Sequence, residues 1–111
     1  MAETYFGILG FDELSPGYGF PRLNDVCCKE PFPHKDRILS FLRHGGKPRM
    51  ASTNNANDVF TGESIAKVTS SKCLDTYQHG PFTWNDVFIY YVDRYNAKPP
   101  EEFIDYVLSQ T

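Results

Sequence analysis

Thr83-Trp84-Asn85-Asp86-Val87-Phe88-Ile89-Tyr90-Tyr91-Val92-Asp93-Arg94-Tyr95-Asn96, then Ala97-Lys98-Pro99-Pro100, then Glu101-Glu102-Phe103-Ile104-Asp105-Tyr106-Val107-Leu108, is the stretch that decides the fold. It predicts two helices joined by a short proline corner. Trp84, Phe88, Tyr91, Val92 and Tyr95 share one helical face. Val87, Tyr90 and Ile89 widen it until little of the helix is polar, and such a helix is covered on most sides. Thr83 is the expected cap, with Asp86 against the positive helix end. Asn96 tolerates the left-handed conformation that ends a helix, and Pro99 and Pro100 forbid continuation. Val, Ile, Phe and Tyr also favour strands, but the length of the run and its segregated charges, Asp86, Asp93 and Arg94, favour helix. Pro100 suits the first position of the second helix, Glu101 and Glu102 complement its dipole, and Phe103, Ile104, Val107 and Leu108 form its inward stripe.

Working outward, residues 33–44 predict a third helix, with Pro33 at its start, Asp36 in its first turn and Ile38, Leu39, Phe41 and Leu42 inward. Arg43 and His44 fall in its last turn, and Gly45 stops it. A helical turn is expected over 24–29, with Asn24 as cap and Val26, Cys27 and Cys28 inward. Short strands are expected at 47–52 and 65–69, with 73–77 as partner or continuation. Residues 53–58 read as a polar loop, 59–65 as a strand end turning at Gly62, and Gln78-His79-Gly80-Pro81 as a turn. Residues 3–20 read as an apolar arm with a turn-rich loop. The fold class is α+β: one small domain over 1–111, a short antiparallel sheet packed against three or four helices, with 1–30 as an N-terminal arm.

The chain of 111 residues has room for one core, and seven Tyr, nine Phe and one Trp supply much of it. The net charge of −3 argues against direct nucleic-acid binding, which relies on a basic surface, and permits a basic protein partner. Met1-Ala2-Glu3-Thr4 lacks the positive start of a signal peptide, and no apolar run is long enough to span a bilayer. Cys27, Cys28 and Cys73 are a poor disulfide framework, which points to a reducing, cytoplasmic compartment.

No catalytic pattern assembles from these residues. His34, His44 and His79 are the only histidines, and a pair of them with Lys35 or Lys47 could cleave RNA by acid–base catalysis. Helix-end and turn positions account for them without a reaction. Cys27, Cys28 and Cys73 lack the ligand spacing of a structural zinc site, so no metal or cofactor is expected. The residues singled out as partner-facing are Asp58, Glu63, Asp75, Tyr77, Glu101 and Glu102. Carboxylates on loops and helix starts are ordinarily solvated; as a set they suit a basic partner. Trp84 is expected in the core, with Tyr77 and Tyr18 as aromatic anchors if exposed.

From Asp36 onward the layout resembles immunity proteins of bacterial polymorphic and contact-dependent growth-inhibition toxins. The resemblance rests on Asp36-Arg37-Ile38-Leu39-Ser40-Phe41-Leu42, Gly46-Lys47-Pro48, Asp58-Val59-Phe60-Thr61-Gly62-Glu63, the run from Trp84 to Asn96, and Pro100-Glu101-Glu102-Phe103-Ile104. It covers roughly the last two-thirds of the chain and transfers no binding residue. It implies a non-enzymatic inhibitor that binds a cognate toxin domain, often a nuclease, in a 1:1 complex in the cytosol and blocks its active site. A histidine-dependent ribonuclease and an adaptor for some other protein are the competing classes.

Overall fold

Helix α3, Asp86–Tyr95, carries the core. In the computed structural model, which describes residues 9–11, 21–50, 57–65 and 76–110, every residue from Val87 to Val92 is buried. The preceding elements are α1 (Leu23–Val26), α2 (Lys35–His44), β1 (Lys47–Met50), β2 (Thr76–His79) and β3 (Phe82–Asn85), and α4 (Glu101–Leu108) follows. The strands form an antiparallel sheet in the order β1-β2-β3, with a register shift between Pro48 and Met50. The α+β class is therefore the observed one.

The start of α3 differs from the expectation. Thr83, Trp84 and Asn85 belong to β3, opposite Gln78, Tyr77 and Thr76. The strand runs directly into the helix, and the cap is Asn85, whose side chain accepts from the Phe88 amide at 2.9 Å. Sheet pairing decided between two residues that can both cap. The C-terminus behaves as expected: Asn96 is left-handed at φ 56°, and the amides of Asn96 and Ala97 both donate to the Tyr91 carbonyl. The predicted turn 78–81 shortens to Gly80-Pro81, because Gln78 and His79 pair with Thr83 and Phe82. Gly80 takes φ 55°, which favours glycine.

Helix α2 begins at Lys35 rather than Pro33. His34 caps it in the left-handed conformation, φ 64°, and its carbonyl accepts the first helical bond from Ile38. Ile38, Leu39 and Leu42 are buried and Phe41 is half-buried. Helix α1 is shorter than expected and is preceded by Arg22, not Asn24. Leu23 is its buried residue, and Cys28 is exposed rather than inward. The chain becomes extended at Cys27, and the Cys28 amide bonds to the Tyr95 carbonyl. Of the expected strand 65–69, Ile65 is helical and fully buried; 66–69 lie outside the described residues, as do 51–56, 66–75 and most of the arm.

One core cluster joins these elements. Trp84 is buried as expected, and its indole N–H donates to the Leu42 carbonyl at 3.0 Å. Phe11 stacks on Phe88 with centroids 5.0 Å apart, and the Leu9 amide donates to the Thr83 carbonyl. Residues 9–11 thus pack on α3 and its preceding strand through Phe88, Tyr91 and Thr83. The 57–64 turn covers the helix's C-terminal end.

Candidate functional site

An aspartate followed by three residues and a glycine, Asp58-Val59-Phe60-Thr61-Gly62, has the local chemistry of a side-chain-closed turn. The structure forms it. Asp58 Oδ1 accepts from the Phe60 amide at 2.7 Å and the Thr61 amide at 3.2 Å. The Gly62 amide returns to the Asp58 carbonyl at 2.7 Å, with Gly62 at φ 79°. The Asp58 amide donates to the Glu63 carbonyl at 2.8 Å, and Asn57 and Ser64 bridge antiparallel below.

The same carboxylate holds the turn to α3. Its Oδ2 accepts from the Tyr90 hydroxyl at 2.6 Å and the Tyr95 hydroxyl at 2.5 Å. The Tyr91 hydroxyl accepts from the Val59 amide at 3.0 Å. Burial pushes the Asp58 carboxyl up, but the hydrogen bonds from Tyr90, Tyr95, Phe60 and Thr61 outweigh it, and the group lies below the ordinary carboxylate range. Burial first, and then the bond to Asp58, raise the Tyr90 and Tyr95 phenols. Burial also raises Tyr91. The assembly is an ionised carboxylate among neutral phenols.

Asp58 is 1% exposed, so the expectation that it is a solvated contact group is corrected. Both oxygens serve the fold. The side chains left outside are Val59, 44% exposed, and Phe60, 45% exposed, the large hydrophobic residues most exposed among those described. Phe60 leans on Tyr95, with centroids 4.8 Å apart, and meets Tyr91 edge-on at 6.3 Å. Glu63 is exposed at the end of the turn, and its Oε1 accepts from the Thr61 hydroxyl at 3.3 Å.

The other predicted residues lie elsewhere. Tyr77 is half-buried on β2 and donates to Asp86 Oδ1 at 2.9 Å, which ties the sheet to the start of α3. Glu101 and Glu102 are exposed at the start of α4, where Glu101 pairs with Lys98 at 2.7 Å. They line an open groove of about 470 Å³ with Asp25, Cys28 and the prolines 21, 99 and 100. Asp75 and Tyr18 lie outside the described residues.

Sequence reasoning passed over Val59, Phe60 and the roles of Tyr90, Tyr91 and Tyr95. The turn signal was present. The three tyrosines read as a core stripe, and nothing local showed that two of their hydroxyls meet at one carboxylate.

The histidines do not gather around this site. His34 and His44 flank α2 at opposite ends, about 15 Å apart at 1.5 Å per residue. His79 Nδ1 is bonded to the Tyr106 hydroxyl at 2.8 Å, and its ring packs edge-on against Phe41. Among the described residues, no group of three His, Cys, Asp or Glu side chains could hold a metal ion, and no helix is long and apolar enough to cross a membrane. Comparison of the chain with known protein families, curated proteins and solved structures gives no match.

Proposed function

We propose that this chain is a non-enzymatic binding protein of the immunity type, which holds a cognate toxin domain in a 1:1 complex and blocks its active site. The observation that carries this reading is the Asp58 turn. A carboxylate sealed from water, with both oxygens engaged by its own fold, is poorly placed to exchange a proton with a substrate. Its effect is to present Val59 and Phe60 outward in one conformation. A loop already ordered loses little further entropy on binding, which favours affinity. The net charge of −3 suits a basic partner such as a nuclease, whose cleft attracts phosphate. The resemblance through residues 36–42, 46–48, 58–63, 84–96 and 100–104 supplies the toxin as the class of partner.

An adaptor for another protein would share these features and differ only in what it binds. A ribonuclease would need two imidazoles converging in a cleft. The separation of His34 from His44, and the engagement of His79 with Tyr106, give that alternative less support.

Affinity purification of the tagged chain from its source cells tests the proposal. The expected result is the C-terminal domain of one large secreted protein at equal stoichiometry, with a toxic activity that the chain suppresses. No stoichiometric partner, with RNA cleavage by the purified chain that is lost on His79→Ala, would overturn it in favour of an enzyme.

A further inference from the structure

We infer that Phe60 is an inhibitory wedge: with Val59 beside it, it enters a concave apolar cleft of the partner while Glu63 meets a cationic, phosphate-binding group at the rim. This rests on the proposed function and adds the surface that makes the contact. The turn is convex, since the Gly62–Asp58 and Asp58–Glu63 backbone bonds draw its ends together. Its large apolar exposure is concentrated in Val59 and Phe60. Tyr95 supports one side of the Phe60 ring, so the ring is braced before any partner arrives.

Size argues against a second copy of this chain as the occupant. An aromatic side chain has about 200 Å² to bury, so Phe60 at 45% exposure offers on the order of 90 Å². A stable symmetric dimer needs about 800 Å² from each partner. Two side chains on a convex tip fall well short of a flat self-complementary patch. They suit the anchor of a larger interface whose walls the partner supplies.

Charge indicates what stands at the rim. Glu63 is exposed and makes no ion pair among the described residues. Arg94 is turned over the Tyr90 ring, 5.8 Å from its centroid. The wedge therefore carries at its flank an exposed carboxylate whose internal contacts are weak, a long exposed bond from the Thr61 hydroxyl at 3.3 Å and the charge of Arg94 beyond salt-bridge distance, so it can turn to an external cation at little cost. An apolar wall beside a cationic rim is the chemistry of a cleft that takes a base and its phosphate.

Photocrosslinking tests this. Benzoylphenylalanine replaces Phe60 in one tagged chain and Glu102, on the groove, in another. Each is irradiated with the domain recovered by the wild-type chain, with and without excess single-stranded DNA oligonucleotide. The expected result is an adduct from position 60 that the oligonucleotide suppresses. Phe60→Ala should bind at least tenfold more weakly while keeping a cooperative unfolding transition with only a modest drop in midpoint, since its ring also packs on Tyr95 and Tyr91. Glu63→Gln should slow association several-fold at low salt, with the difference vanishing at high salt. Recovery of the domain with adducts only from position 102, full affinity in Phe60→Ala, or a position-60 adduct insensitive to oligonucleotide would each overturn the wedge and leave the binding reading standing. Recovery of no stoichiometric domain by the wild-type chain would overturn both.

Discussion

Phe60 and Tyr95 lie with their rings 4.8 Å apart, and the Tyr95 hydroxyl donates to Asp58, two residues before Phe60. One tyrosine thus supports the exposed ring with its own ring and holds the turn that carries it with its oxygen. Display at the surface and packing at the end of α3 are the same set of contacts.

Tyr95→Phe separates the two roles. The ring stays and the bond to Asp58 Oδ2 is lost. A hydrogen bond to a charged group contributes about 1.5–3 kcal/mol. Urea unfolding should show a loss of that order, and calorimetry should show a smaller loss of partner affinity than Phe60→Ala produces. Equal stability of Tyr95→Phe and wild type would mean that the hydroxyl contributes nothing.

Asp58→Ala should be more damaging than Tyr95→Phe. It strips the acceptor from one buried hydroxyl, one part-buried hydroxyl and two turn amides. The expected loss is about 3–5 kcal/mol. Amide hydrogen exchange at residues 60 and 61 should accelerate more than exchange in α2. Asp58→Asn should fall between, because it keeps one acceptor oxygen. Uniform acceleration across the chain would show that the turn does not open locally.

Stability should fall at both ends of the pH scale, for different groups. The folded value of Asp58 lies below its ordinary 3.8. Its contribution is therefore present above 3.8 and lost as pH falls through the lower folded value. Asp58→Asn should flatten that acid limb. Tyr90, Tyr91 and Tyr95 lie above their ordinary 10.0, through burial first. Their contribution is present below pH 10 and lost as pH rises through the raised folded values. An ultraviolet titration should show some of the seven tyrosines ionising late and together with unfolding. Ionisation of all seven in one ordinary step would contradict the buried phenols.

Gly80→Ala tests the hairpin. At φ 55° an added Cβ would be strained, and it would fall on the Tyr106 hydroxyl that His79 engages. A loss of about 1–3 kcal/mol is expected. Adding Tyr106→Phe should recover part of it, because the obstructing oxygen is gone, so the two changes should be non-additive. Strict additivity in thermal unfolding would remove the clash as the cause.

The helices around the proline corner were legible because their signals are local. Periodicity, Asn96, Pro99 and Pro100 act within a few residues. The true start of α3 was hidden because Thr83 and Asn85 are both competent caps, and the choice was made by pairing with Thr76 to Gln78 in another strand. Glu63, Glu101 and Glu102 stand at the surface, where charge alone places them. Asp58 does not, because its donors Tyr90 and Tyr95 come from far along the chain. A carboxylate is rarely buried without such partners, and sequence neighbours do not reveal them. Val59 and Phe60 have the sequence pattern of a strand end, since an apolar pair gives no local sign that it will face water.

Asp58 and Tyr90 are 32 residues apart, and Asp58 and Tyr95 are 37. Before α3 has docked, the carboxylate is hydrated and the turn keeps only its bonds to its own amides. The tip that carries Phe60 therefore takes its final form only where α3 is in place. A partner selecting that tip would distinguish mature copies from immature ones, and capture efficiency would serve as a gauge of folding quality.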